Sequence, residues 1–257
     1  MKITDTHAHL YMKEFNKDID FVIKKAITQG VNRFFLPSID TSNISDILKL
    51  EKKYPNICYS MIGLHPNRVF PNNLEKELKI IEKWLNKHSF ISIGEIGIDL
   101  YLKNKFLSEQ EYAFQTQIKW AKEKKLPIVI HCRNAFHYIF NILSNEKNYP
   151  LRGVFHCFSG TLEEAKKIID LGIKIGIGGI ITFKNNHISQ FLHKINLNHI
   201  ILETDCPYLS PHPFRGKRNE PQNLRIILKK LSQIYSLSEE KISDIIHMNV
   251  EKLFFSY

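Results

Sequence analysis

Six side chains of the kinds that hold divalent cations fall at the ends of strand-like runs between residues 7 and 205. His7 and His9 close ITDTHAH, Glu95 sits in ISIGEIGID, His131 closes LPIVIH, His156 closes GVFH, and Asp205 follows HIILETD. In an extended segment the side chains at i and i+2 share one side, so both imidazoles of His7-x-His9 can reach one ion. Glu95 has two carboxylate oxygens and can bridge two ions, and Gly94 and Gly97 beside it leave room for close approach. Asp205 is placed to ligate an ion and to accept a proton from its water, which makes it the expected base. The expected cofactors are two divalent cations and room for a third; mixed His and carboxylate ligands accept Zn, Mn, Co or, with more water, Mg.

Neighbouring residues suggest supporting roles. Asp5, on the face of His7, could hold a histidine tautomer by accepting its far N–H. Glu203, two residues before Asp205, and His65, in MIGLHP, are candidates for a third ion or a substrate phosphate. Asp99 reads as a loop-ordering residue. Alternation turns Cys132 and Cys157 away from the histidines they follow, toward the helices, and Cys206 toward packing. Arg133 returns to the face of His131 and could meet a phosphate. After the last strand, PYLSPHPFRGKRNEP sets Arg215, Lys217, Arg218 and Asn219 on the expected substrate rim, with Phe158, Phe183, Tyr208 and Phe214 as candidate base-stacking faces.

Segments so far apart converge only if their strands lie side by side and parallel with their carboxyl ends on one face, as in a barrel whose exit loops build the site. Strand patterns run near Ile3 to Thr6, Val31 to Leu36, Ile57 to Leu64, Ile91 to Glu95, Pro127 to His131, Gly153 to His156, Ile173 to Ile177 and Asn198 to Glu203. Helical periodicity is clearest over Ile19 to Gln29, Ile44 to Lys53, Leu74 to His88, Glu109 to Lys125, Thr161 to Leu171 and Gln222 to Tyr235, with a last helix over Ser238 to Phe254. This alternation predicts a TIM-like (β/α)8 barrel, with residues 1–257 as a single domain.

Composition bounds the alternatives. No run approaches a membrane span, and the N-terminus reads as a strand rather than a signal peptide, so a cytoplasmic protein with free thiols is expected. The net charge of +10 suits a polyanionic partner, although many of the lysines fall on helix exteriors. No protein partner can be inferred.

Nearly end to end, the motifs resemble those of the TatD family of metal-dependent deoxyribonucleases, within the amidohydrolase-like group of metal-bearing barrels. They are DTHAHL at 5–10, IGLHP at 62–66, GEIGID at 94–99, PIVIHCR at 127–133, FHCFSG at 155–160, GGIITFK at 178–184, ETDCPYL at 203–209, RGKRNEP at 215–221 and NVEKLF at 249–254. Ile98, Cys132 and Asn134 depart from the usual Leu, Ser and Asp. The resemblance implies a nuclease acting on DNA, at single strands or ends, with ligand roles for His7, His9, Glu95, His131, His156 and Asp205. The expected scheme has Glu95 bridging two ions, one with His7, His9 and Asp205 and the other with His131 and His156. The alternative is an amidohydrolase or lactonase using the same site on a small carbonyl substrate.

Overall fold

The computed structural model describes residues 1–101, 106–146 and 151–256. The strands are β1 (Ile3–Asp5), β2 (Val31–Leu36), β3 (Cys58–Ile62), β4 (Ser92–Asp99), β5 (Ile128–Arg133), β6 (Gly153–Phe155), β7 (Lys174–Ile177) and β8 (Ile200–Leu202). They form one sheet in sequence order, every pair parallel. Parallel neighbours need crossovers, and helices α1 (Ile19–Thr28), α2 (Ile44–Lys53), α3 (Leu74–Leu85), α4 (Leu107–Lys124), α5 (Phe136–Asn145), α6 (Leu162–Asp170) and α7 (Ile188–Phe191) supply them. Two more, α8 (Leu224–Tyr235) and α9 (Glu239–Val250), follow β8. The result is the nearly closed (β/α)8 barrel that the alternation predicts.

The seam between β8 and β1 is made at the mouth. Thr6 N–H donates to Leu202 O (3.1 Å), Asp205 N–H to His7 O (2.9 Å) and His9 N–H to Cys206 O (2.8 Å). The segments that close the ring therefore carry three of the candidate ligands.

Outward-facing strand residues such as Ile96, Ile130 and Ile175 pack beneath the helices. Inward-facing Phe35, Met61, Val129, Val154 and Ile201 fill the barrel, with Val250, Leu253 and Phe254 packed against them. The candidate ligands continue these inward rows: His131 lies two residues beyond Val129, and His156 two beyond Val154. Helix α6 opens as its acidic first turn suggests, with Thr161 and Glu164 each accepting the other's backbone N–H in a capping box.

β4 differs from the expected strand. It runs on to Asp99, so Glu95 lies inside it and not at its end. Ile93 pairs with Ile128 and Ile96 with Ile130, which leaves Gly94 and Glu95 together opposite Val129. Two residues against one is a β-bulge. Simple alternation would turn Glu95 toward the helices; the extra residue turns it into the barrel.

Candidate metal centre

Glu95 is the hub. Its Oε2 lies 3.1 Å from His7 Nε2 and 3.8 Å from His9 Nε2, while Oε1 lies 2.7 Å from His131 Nδ1, 3.3 Å from His65 Nε2 and 3.8 Å from His156 Nε2. The two oxygens of one carboxylate thus face two sets of imidazoles. Asp205 Oδ1 stands 3.4 Å from His9 Nε2 and 3.7 Å from the Nε2 of both His7 and His156. Asp205 takes a left-handed backbone (φ 58°), which costs a non-glycine residue roughly 1–2 kcal/mol and aims its carboxylate back across the seam.

The ring nitrogens turned away from this centre show which lone pairs face it. Tyr11 Oη donates to Pro37 O (2.8 Å), so at 2.9 Å from His9 Nδ1 it accepts, and the lone pair of His9 is left on Nε2. Asp99 Oδ2, 2.9 Å from His131 Nε2, can only accept, which leaves the lone pair of His131 on Nδ1. Glu203 Oε2 lies 3.2 Å from His156 Nδ1, close enough for charge attraction though not aligned as a hydrogen bond. His7 Nδ1 is buried without a partner. Asp5 does not serve it: its carboxylate accepts the N–H and hydroxyl of Thr204 and, at 3.4 Å, the backbone N–H of His7.

These lone pairs point at one another. His7 Nε2 lies 3.2 Å from His9 Nε2 and 3.1 Å from Glu95 Oε2, so in the metal-free site a proton there can be donated to either, and a cation would take that proton's place. The groups fit divalent cations, with ligand atoms converging within 4.8 Å in three neighbouring sets: His7, His9 and Glu95; His7, His156 and Asp205; and His65, Glu95 and His131. His156 faces both sets: its ring stacks on that of His7 at 3.5 Å, and its Nε2 lies 3.8 Å from Glu95 Oε1, the oxygen that also faces His131.

Without cations, protons supply part of the charge. Burial opposes protonating His156, but Glu203, Glu95 and Asp205 outweigh it and raise its pKa to about 10. The same contest at His131, with Asp99 and Glu95 as the acids, ends at about 9. Burial and the neighbouring His156 lower His7 to about 4. Burial disfavours ionised Glu95 and Asp205 too, yet the surrounding imidazoles hold both below the usual carboxylate range.

The site floors a cavity of about 830 Å³ whose wall includes Arg68, Arg133, Phe70 and Tyr208. Arg133 is exposed and its guanidinium stacks on Tyr101 at 3.4 Å. Arg215 and Lys217 are exposed but stand outside this wall; Arg215 stacks on Phe183 at 3.8 Å. Asn219 is not on the rim at all. It is fully buried, donating to Thr204 O (2.8 Å) and accepting from Asn223 and Glu220, so it anchors the exit of β8. Tyr208 and Phe214 are exposed aromatics, whereas Phe158 is buried.

Glu203 is fully buried, too deep to meet substrate, and accepts the Cys157 N–H. A Cβ on Gly176 would come within 2.7 Å of its Oε1, so this carboxylate occupies space that the missing side chain leaves. Cys157 and Cys132 are half-buried and reach the cavity wall, contrary to strict alternation; a left-handed backbone at Cys157 (φ 48°) breaks the rule there. Burial pushes the Cys132 thiol up to about 12 and raises the Cys157 thiol well above its ordinary value, so neither offers a thiolate near neutral pH.

Periodicity gives no sign of Asn67 or Arg68, and the motif reading passes over Tyr11. Tyr11 does continue the i, i+2 row of His7 and His9, which is the one signal that could have found it.

A parallel barrel with mixed His and carboxylate groups at its mouth has the architecture of a metal-dependent hydrolase. The family model described as TatD related DNase matches residues 4–255. The uncharacterized metal-dependent hydrolase YabD of Bacillus subtilis is 33% identical over 251 residues, covering 97% of this chain and 98% of the relative. One from Buchnera aphidicola subsp. Acyrthosiphon pisum is 37% identical over 268 residues and covers 99% of each. The crystal structure of YjjV, a TatD homologue from Escherichia coli, superposes with a TM-score of 0.91 at 26% identity, covering 99% of this chain and 98% of that one. The chain belongs to the TatD family of metal-dependent hydrolases. Among its described residues no helix is long and apolar enough to cross a membrane.

Proposed function

We propose that the protein hydrolyses phosphodiester bonds of DNA, at single strands or ends, with two divalent cations. The observation that carries this reading is the pair of Glu95 oxygens facing different imidazole sets, the arrangement a bridging carboxylate requires. His7, His9 and Asp205 would hold one cation and His131 and His156 the other, with Glu95 between. When bound, the cations make water more acidic and draw charge from phosphoryl oxygens.

The chain's own groups do the rest. Asp205, with an oxygen on the cavity side, accepts the proton of the attacking water. Tyr11 and Asp99 hold the imidazoles of His9 and His131 so that lone pairs and not protons face the centre, and the Glu203 charge draws a proton of His156 to its far side. Arg68 and Arg133 on the cavity wall attract the phosphodiester backbone, and exposed Tyr208 offers a face on which a base can stack. The family description and the net charge of +10 support a nucleic-acid substrate over a small neutral one.

The test is a time course on end-labelled single-stranded and duplex DNA with the metal-stripped protein reloaded with Mg, Mn, Co or Zn. A metal-dependent ladder is expected. Turnover of lactones or cyclic amides with DNA left intact would replace this reading with the carbonyl one.

A further inference from the structure

His65 resembles its neighbours in residue type and position but not in hydrogen bonding. It leaves β3 at the cavity floor and caps the turn Pro66–Arg68, its Nδ1 accepting the backbone N–H of Asn67 at 3.0 Å. A ring nitrogen that accepts an amide N–H carries no proton, so in the neutral imidazole the proton is on Nε2. His9 and His131 are arranged the opposite way, with their outward nitrogens facing acceptors. Turning the His65 ring over would set a carbon against the Asn67 N–H and forfeit that bond.

The Nε2–H of His65 points into the centre, 3.3 Å from Glu95 Oε1 and 3.2 Å from His131 Nδ1. With cations bound, Glu95 Oε1 and His131 Nδ1 would both give their lone pairs to a metal. His65 would then keep a proton with no protein acceptor at 8% exposure, and a buried donor left unpaired is costly. An anionic oxygen entering the cavity would restore the bond, with Arg68 and Arg133 on the same wall drawing it in.

We infer that His65 is not a metal ligand but a neutral hydrogen-bond donor to a substrate phosphoryl oxygen, its proton fixed on Nε2 by the Asn67 backbone. This rests on the phosphodiester reading of the site and assigns His65 as a catalytic residue within it. A donor set in advance where negative charge grows needs no reorganisation during reaction.

The test compares wild type with His65→Ala, His65→Gln and His65→Glu. Bound metal is measured by elemental analysis, inorganic phosphate affinity of the metal-loaded proteins by calorimetry, and cleavage with labelled DNA. Wild type and His65→Ala should carry equal metal equivalents, while phosphate binding by His65→Ala falls about tenfold or more, as expected for a lost bond to a charged acceptor. Gln can keep an N–H near the Nε2 position and should recover part of the loss; Glu, an acceptor, should not. A missing metal equivalent in His65→Ala, recovered in His65→Glu, would make His65 a ligand and overturn the inference. So would unchanged phosphate affinity in His65→Ala, or no phosphate binding by wild type. Phosphate binding that depends on His65 in a protein that cleaves no DNA would uphold the donor and fail the nuclease reading alone.

Discussion

Replacing Tyr11 by Phe removes one oxygen and tests how the centre is held. Tyr11 is 9% exposed, and its hydroxyl links His9 Nδ1 (2.9 Å) to Pro37 O (2.8 Å). Phe keeps the ring but leaves the imidazole N–H and the carbonyl buried without partners, at about 1–3 kcal/mol for each unsatisfied group. The His9 proton is then free to sit on Nε2, where it blocks the lone pair. Partners of this kind commonly contribute about ten- to a hundredfold in metal affinity. The metal-stripped variant titrated with Zn or Mn against a competing chelator should therefore bind one equivalent about tenfold to a hundredfold more weakly. Urea unfolding of the same apo-protein reads the structural cost separately, and a loss of about 2–6 kcal/mol is expected there from the two unsatisfied groups. Wild-type affinity for every equivalent would refute the tautomer argument.

Asp205→Asn removes the proton acceptor and should lower turnover about a hundredfold or more with DNA affinity largely kept; full metal-dependent activity would exclude Asp205 as the base. In the metal-free protein at pH 7, His131 (about 9) and His156 (about 10) each carry an extra proton that ligation must displace. Metal loading should release about two protons, and apparent affinity should rise with pH until those values are passed; loading without release in weakly buffered indicator solution would contradict this. The sign is opposite for apo-protein stability: both raised values add stability below the unfolded value near 6.5, and the gain disappears as pH climbs through about 9 to 10. Arg133→Ala should raise KM for an oligonucleotide more than it lowers kcat and should reduce the salt slope of DNA binding by about one; an unchanged slope would remove Arg133 from the phosphate path.

Parts of this site lie on the surface of the sequence and parts do not. His7, His9, His131, His156 and Asp205 stand at ends of apolar runs, where a two-residue period and a parallel sheet together give their direction. Glu95 was found by its type and its glycines, but its direction depends on a bulge that appears only when β4 is paired with β5. Loop residues were harder. Asn219 and Arg215 lie in one polar stretch, yet one is fully buried and the other exposed, a difference set by backbone turns after β8 that no period reports. Cys157 misled for a related reason, because one left-handed residue reverses the alternation beyond it. Arg68 came to the cavity wall through the turn that His65 caps, a placement no strand pattern contains.

The ring closes where the first and last strands exchange hydrogen bonds, and the cage draws on both sides of that join. A chain still being synthesised, and not yet past Asp205, already contains five of the six groups but has no means of gathering them. A metal cage drawing on all six groups is thereby withheld until the last strand and the turn after it have been made. Conversely, a cation gripped by His7 and Asp205 would rivet the first strand of the ring to the last, and stripping it should loosen the two strands together.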